Sequence, residues 1–126
     1  MAGLTLTLAP ERFAVCKLPP DAPIPPLPLH ASLVSVTLTP EEVSLVLPED
    51  AAPPHAAVEG GWRALRVGGV LDFSLTGVLA SLAAPLAQAG VSIFAVSTYD
   101  TDYLLMRELS LSVALDALRA AGHTIA

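Results

Sequence analysis

The second half of the chain alternates between stretches with a strand period and stretches with a helix period. Residues 61–69, GWRALRVGG, alternate as a strand and end in two glycines that suit a turn or a bulge. Ser74 or Thr76 is then placed to cap a helix that Gly90 ends. Pro85 should kink or split this helix because it removes one backbone donor. The leucines whose helical spacing predicts its buried face are Leu75, Leu79, Leu82 and Leu86.

Two apolar stretches on either side of an acidic loop predict the next two strands. The first covers residues 91–97, and the second begins at Asp102 or Tyr103 and ends at Arg107. The loop between them carries Asp100 beside two threonines, in a chain that uses few charges elsewhere. Such a loop is either a polar turn or part of a binding site.

A second helix and a short strand complete the pattern. Ser110 or Ser112 opens the helix, Gly122 closes it, and residues 123–126 predict a last strand. The order is therefore strand, helix, strand, strand, helix, strand, which is that of the split βαβ, ferredoxin-like sandwich. We expect an α+β fold in which two helices cover one face of an antiparallel sheet.

The first half of the chain repeats the strands of this plan. Residues 13–18 predict one strand, and residues 32–49 predict two strands joined at residues 39–42. This pair of strands aligns with the pair joined at residues 98–102: each has a strand, a threonine, an acidic loop, a strand and then a glutamate. The agreement indicates an internal duplication.

Proline-rich stretches stand where the helices of the first copy would be. Their prolines exclude a long regular helix, so residues 51–58 are either a linker or a degenerate helix. We therefore predict a helix-poor unit at residues 1–58 and a complete unit at residues 59–126. The pattern leaves open whether the strand at Trp62 closes the first unit or opens the second.

Composition points to a single small domain, or two very small ones, with much apolar surface to bury. The chain has 126 residues, of which 53% are hydrophobic and only 14% charged, against roughly 25% charged in soluble chains. We expect a homodimer, unless the two units of one chain cover each other. The net charge of −6 argues against nucleic acid and anionic membrane surfaces as partners.

Neither the single cysteine nor the most apolar segment changes this interpretation. Cys16 lies in a strand-like stretch, which predicts a buried, inert thiol and excludes a disulfide framework. Residues 75–96 have the length of a membrane span, but Pro85, Gln88 and Gly90 interrupt them. The first ten residues alternate Leu with Thr and lack a basic region, so we expect a cytoplasmic protein rather than a secreted one.

Three motifs carry a resemblance to a known family: SLTG, PLAQAGVSIFAVST and DTDYLLM, all within residues 60–122. In them the chain resembles the ACT domains of small bacterial proteins that pair two ACT-like units, and the cytosolic arginine sensors of the CASTOR family. The first half matches more weakly, through KLPPDAPIPP and TPEEVSLVLPE. The resemblance implies ferredoxin-like regulatory modules that bind amino acids at interfaces between paired ACT domains.

A free amino acid needs donors for its carboxylate and a negative charge for its ammonium group. Backbone N–H groups at the start of the first helix suit the carboxylate, and Gly77 permits close approach of a ligand. Asp102 is the candidate for the ammonium group, with hydroxyl groups of Thr98 or Thr101 as further contacts. Asp100 is assigned to the solvated turn. The helix residues of the candidate site are Leu75, Thr76, Gly77 and Val78.

No pattern in the chain predicts catalysis, a cofactor or a metal site. Asp100 and Asp102 lack a partner nucleophile, and the three histidines lack the spacing of metal ligands. The sequence therefore predicts a regulatory, amino-acid-binding protein that is not an enzyme. The alternative is a structural module whose sheets mediate assembly and whose ligand site is vestigial.

Overall fold

The computed structural model describes residues 3–69 and 76–126 of the chain. Within these residues it has strands, two α-helices and two single turns of 3-10 helix, at Glu49–Ala51 and Glu108–Ser110. The strands are β1 (Thr5–Leu8), β2 (Phe13–Leu18), β3 (Ser35–Leu38), β4 (Val43–Pro48), β5 (Ala57–Val67), β6 (Phe94–Ser97), β7 (Asp102–Arg107) and β8 (Thr124–Ile125). The helices are α1 (Val78–Gln88) and α2 (Leu111–Ala120).

The chain forms two compact units. The N-terminal unit is Pro10–Trp62, and the C-terminal unit combines Met1–Ala9 with Arg63–Ala126. Strand β5 contributes its first part to the N-terminal unit and its last part to the C-terminal unit, so it both closes one and opens the other. The domain division at residues 58 and 59 falls inside β5 and stays a prediction.

The C-terminal unit has the predicted ferredoxin-like arrangement with one strand added. Its strands lie in the order β8, β1, β5, β7, β6. If β1 is left out and β5, β6, β7 and β8 are counted as the first to fourth strands, their order across the sheet is fourth, first, third, second. This is the order of a split βαβ sandwich, so the predicted α+β fold is confirmed. Strand β1 comes from the start of the chain and lies antiparallel to β5 and parallel to β8.

The two helices pack on one face of this sheet. The buried residues of α1 are Val78, Leu82 and Leu86, whereas Leu79 is 37% exposed. The predicted burial is confirmed for Leu82 and Leu86 and wrong for Leu79, because the buried stripe recurs at four-residue steps from Val78. Leu75 lies outside the described residues. The core of this unit joins the helices to the sheet through Leu6, Leu65, Val67, Leu82, Leu86, Val91, Leu104, Met106, Ala114 and Leu118.

Both helices end as predicted, but α1 begins differently. Gly90 and Gly122 adopt left-handed backbone angles just after the helices, and the next N–H bonds back to the carbonyl of Leu86 or Leu118. The predicted cap by Thr76 is wrong, because Gly77 occupies the N-cap position without a side-chain hydrogen bond. Ser74 lies outside the described residues. Helix α1 continues past Pro85, so of the two predicted effects of this proline the split is wrong, and the kink stays a prediction.

The N-terminal unit is the predicted helix-poor copy. Its strands lie in the order β5, β2, β4, β3. Counted along the chain from β2 to β5, this is again the order fourth, first, third, second. Residues 19–34 take the place of the first helix and contain no helical turn. At the position of the second helix there is only the 3-10 turn Glu49–Ala51. The segment around it is not a free linker, because three of its alanines pack against the core of this unit: Ala51, Ala52 and Ala56.

The duplication extends to the hydrogen bonds of the hairpin turns. The Thr39 hydroxyl accepts the N–H of Glu42 at 3.1 Å, and the Thr98 hydroxyl accepts the N–H of Thr101 at 3.2 Å. In both turns the threonine N–H also donates to the carbonyl three residues later. The strand that follows has six residues in each unit and leads directly into a 3-10 turn. The two hairpins therefore correspond residue by residue.

Two further sequence predictions are tested by burial and by helix length. Cys16 is buried, and this burial raises the pKa of its thiol, as expected of an inert residue. In the part of the chain that the structure describes, the helices are too short or too polar to cross a membrane.

Candidate functional site

A buried hydroxyl fixes the β6–β7 turn against the end of β5. The Thr101 side chain is 3% exposed and donates to the Val67 carbonyl at 2.8 Å. Strand β6 therefore ends beside the point where β5 ends, and the two strands run in the same direction. Helix α1 joins the end of β5 to the start of β6, so it runs back and begins at this same end of the sheet.

A second buried contact supports this placement of α1. The Leu4 N–H donates to His123 Nδ1 at 3.1 Å, and His123 Nε2 lies 3.1 Å from the Ser81 carbonyl. Since Nδ1 accepts, the hydrogen of the neutral ring is on Nε2, which donates to Ser81. Ser81 is in the first turns of α1, and Leu4 immediately precedes β1 at the end of the sheet where β5 ends. The start of α1 is therefore held at that end.

The first turn of α1 presents backbone N–H groups without a side-chain cap. Gly77 has a φ of 78°, which glycine adopts without strain, and the first turn contains no acidic residue. Thr76 and Gly77 are exposed, whereas the Val78 side chain is buried, so only its backbone is available to a ligand. Unpaired N–H groups and the helix dipole together favour an anion at this position.

Asp102 lies on the face of the sheet that the helices cover. Side chains alternate along a strand, so Asp102 is on the same side as Leu104 and Met106, which belong to the core beneath α1 and α2. Ser97 is directly opposite Asp102 on β6, and its hydroxyl donates to Asp102 Oδ1 at 2.6 Å. The carboxylate is half-buried, and within residues 3–69 and 76–126 its Oδ2 oxygen has no hydrogen-bond donor.

The two threonines of the candidate site shape the turn. The Thr98 hydroxyl donates to the Thr101 carbonyl at 3.1 Å, and the Thr101 hydroxyl is occupied by Val67. A ligand contact with either hydroxyl stays a prediction, and in it the threonine oxygen would accept, because each O–H already donates within the protein. Asp100 is exposed in the turn.

The sequence therefore identified residues that the fold brings to one end and one face of the sheet, but it missed Ser97. No hydrogen bond joins Thr76, Gly77 or Val78 to Asp102 among the described residues, and Leu75 lies outside them. Ser97 carries no motif of its own. The register that places it opposite Asp102 was the only signal that could have identified it.

Other candidate chemistries find less support. No group of acidic, histidine or cysteine side chains in the described ranges is arranged to hold a metal ion. A cavity of about 280 Å³ in the N-terminal unit is lined by Glu11, Arg12, Pro48, Glu49 and Asp50. Glu11 is already occupied there, since its carboxylate accepts the N–H and the hydroxyl of Ser32 at 2.7 and 2.6 Å.

Comparison with known proteins identifies the family. A family model described as an ACT domain matches residues 57–120, about half of the chain. The chain therefore belongs to the ACT domain family, and the predicted resemblance is confirmed. The human and bovine proteins named "Cytosolic arginine sensor for mTORC1 subunit 1" are each 36% identical to it over 95 residues, which cover 67% of this chain. The chain spans only 29% of the length of those relatives.

Solved structures agree on the fold. Protein Atu0741 from Agobacterium tumefaciens matches with a TM-score of 0.92 and 32% identity, covering all of this chain and 94% of that one. The ligand-free regulatory subunit of aspartate kinase from Thermus thermophilus matches with a TM-score of 0.63 over 92% of this chain and 95% of its own, at 15% identity, which shows the fold alone. Family and relatives together support a ligand-binding, regulatory role.

Proposed function

We propose that this protein is a non-enzymatic regulator that binds a free amino acid between the start of α1 and Asp102. The observation that carries the proposal is the location of these two groups at one end of the sheet, on the face that the helices cover. The uncapped N–H groups of α1 offer donors, and Asp102 offers a negative charge. Together they complement the two charged ends of an α-amino acid.

Each of the two proposed contacts should contribute measurably to the free energy of amino-acid binding. Hydrogen bonds to charged groups contribute roughly 1.5 to 3 kcal/mol each, so losing one weakens binding by about one to two powers of ten. L-Arginine is the first amino acid to test, because relatives with 36% identity are named as arginine sensors. The proposal itself concerns the α-amino and α-carboxyl groups, which all amino acids share.

The proposal extends to assembly and location. The resemblance implies that the amino acid binds at an interface between paired ACT-like units. We propose that a second copy of the chain provides the other side of this interface, in a cytoplasmic homodimer. The apolar composition supports pairing, and Leu109 beside α2 is 99% exposed. Light scattering at a protein concentration of tens of micromolar tests the homodimer. A measured mass equal to that of one chain would contradict it.

One observation favours the alternative of an assembly module without a ligand. Leu109 and Val113 are four residues apart on the α2 side of the C-terminal unit and are 99% and 50% exposed. Leu109 lies in the 3-10 turn before α2 and Val113 in the first turn of α2, and exposed apolar residues of this kind suit contact with another protein. A thermal-shift screen of the common amino acids separates the two functions, since a ligand of the folded state raises the unfolding temperature. A hit supports the regulator, and no hit across the whole panel supports the assembly module.

A further inference from the structure

A polar pair of residues, Ser97 and Asp102, lies next to the turn of the β6–β7 hairpin, on the face of the sheet that carries the proposed site. Ser97 and Asp102 are partners in the strand register, and the serine hydroxyl donates to Asp102 Oδ1 at 2.6 Å. This distance is at the short end for a hydroxyl and a carboxylate, which is typical of a charge-assisted hydrogen bond. It leaves Asp102 Oδ2 without a partner among the described residues.

The duplicated hairpin shows that the fold itself does not need this pair. Because Thr39 corresponds to Thr98, the residues that correspond to Ser97 and Asp102 are Leu38 and Val43, which are partners in the β3–β4 register. The N-terminal hairpin forms the same threonine turn with this apolar pair. A serine and an aspartate at these positions are therefore not explained by hairpin formation.

From this contrast we infer that Ser97 is a positioning residue for amino-acid binding, acting through Asp102. The inference rests on the proposed function. By donating to Oδ1, the serine limits rotation of the carboxylate and keeps Oδ2 available on the face of the sheet that the helices cover. The ammonium group of the amino acid then meets an oriented acceptor, and less conformational entropy is lost when it binds. Without the hydroxyl, Asp102 keeps its charge but not its orientation.

Calorimetric titration with L-arginine tests the inference in the full chain. We expect Ser97→Ala to weaken binding about five- to tenfold and Ser97→Thr, which keeps the hydroxyl, to remain within about twofold of the wild type. Ser112→Ala is the matched control, because it removes an exposed hydroxyl from α2 and should not change affinity. The unfolding temperature of the ligand-free Ser97→Ala protein should stay within about 1 °C of the wild type, since the pair is solvent-accessible.

A double-mutant cycle separates a positioning role from a structural one. In an Asp102→Ala background the serine has no carboxylate to orient, so Ser97→Ala should have no further effect on the affinity for L-arginine. The same loss in both backgrounds, or equal affinities of wild type and Ser97→Ala, contradicts the positioning role and leaves the proposed function intact. No heat of binding from the wild type, together with no hit among the amino acids, contradicts the proposed function and this inference with it.

Discussion

His123 supplies the hydrogen bond that Pro85 removes from helix α1. In an α-helix the N–H of residue 85 would donate to the carbonyl of Ser81, four residues earlier. Proline has no N–H, and the Ser81 carbonyl instead accepts from His123 Nε2 at 3.1 Å. His123 is 7% exposed, and its other ring nitrogen accepts the Leu4 N–H. The ring thus ties the helix to the N-terminal strand.

Replacing His123 should destabilise the protein through the two backbone groups that it satisfies. His123→Ala leaves the partly buried Ser81 carbonyl and Leu4 N–H without the partner they have in His123, at a cost of up to about 1 to 3 kcal/mol for each group. In a Pro85→Ala background, the N–H of residue 85 can donate to Ser81, so His123→Ala should cost less. Urea denaturation of the four proteins measures this, and an equal cost in both backgrounds would show that the two residues are not coupled.

Thr101→Val should destabilise the C-terminal unit because it removes the donor to the Val67 carbonyl. The side chain is buried, and valine has nearly the same shape, so the expected loss is about 1 to 3 kcal/mol in the free energy of unfolding. Thr124→Val is the matched control: Thr124 is exposed on β8, and the change should stay within about 0.5 kcal/mol. Similar losses for the two variants would mean that the Thr101 bond contributes little.

Glu11 should make stability depend on acid pH. Burial acts to raise the pKa of its carboxyl group, but hydrogen bonds from the Ser32 side chain and backbone together lower the pKa below the ordinary value. A carboxyl group with a lowered pKa in the folded state contributes stability above its unfolded pKa, and this is lost as pH falls through the folded pKa. Ser32→Ala should therefore reduce the loss of stability below about pH 4.5. An unchanged acid slope in urea titrations would rule out this contact as its source.

One chain should bind one amino acid, because only the C-terminal unit keeps the proposed groups. In the N-terminal unit Val43 stands at the position of Asp102, and residues 19–34 form no helix that could offer N–H groups. Calorimetry with L-arginine should therefore give a stoichiometry near one per chain. A value near two would require a second site with different chemistry.

Local sequence patterns predicted most of the fold because they reflect periods of two and of three to four residues. The threonine turns at Thr39 and Thr98 repeat the same short-range hydrogen bonds, so the duplication could be read from the sequence. The position of β1 between β5 and β8 could not, since the contact of Leu4 with His123 joins residues 119 positions apart.

The site was predicted in part for the same reason. Asp102 stood out as a rare charge beside a threonine turn, and Gly77 as a glycine at a helix start. Ser97 and His123 have no distinctive neighbours in the sequence. The role of Ser97 depends on the strand register that places it opposite Asp102. The role of His123 depends on the Ser81 carbonyl, which receives no helical hydrogen bond from Pro85.

The most direct test of amino-acid binding at Asp102 is calorimetric titration of L-arginine into the wild type and Asp102→Asn. The substitution keeps size and hydrogen-bonding capacity but removes the charge, so binding should weaken by about one to two powers of ten while the fold remains intact. Asp100→Asn is the matched control and should bind as the wild type does, because Asp100 lies exposed in the turn. Equal affinities of the wild type and Asp102→Asn would contradict the account.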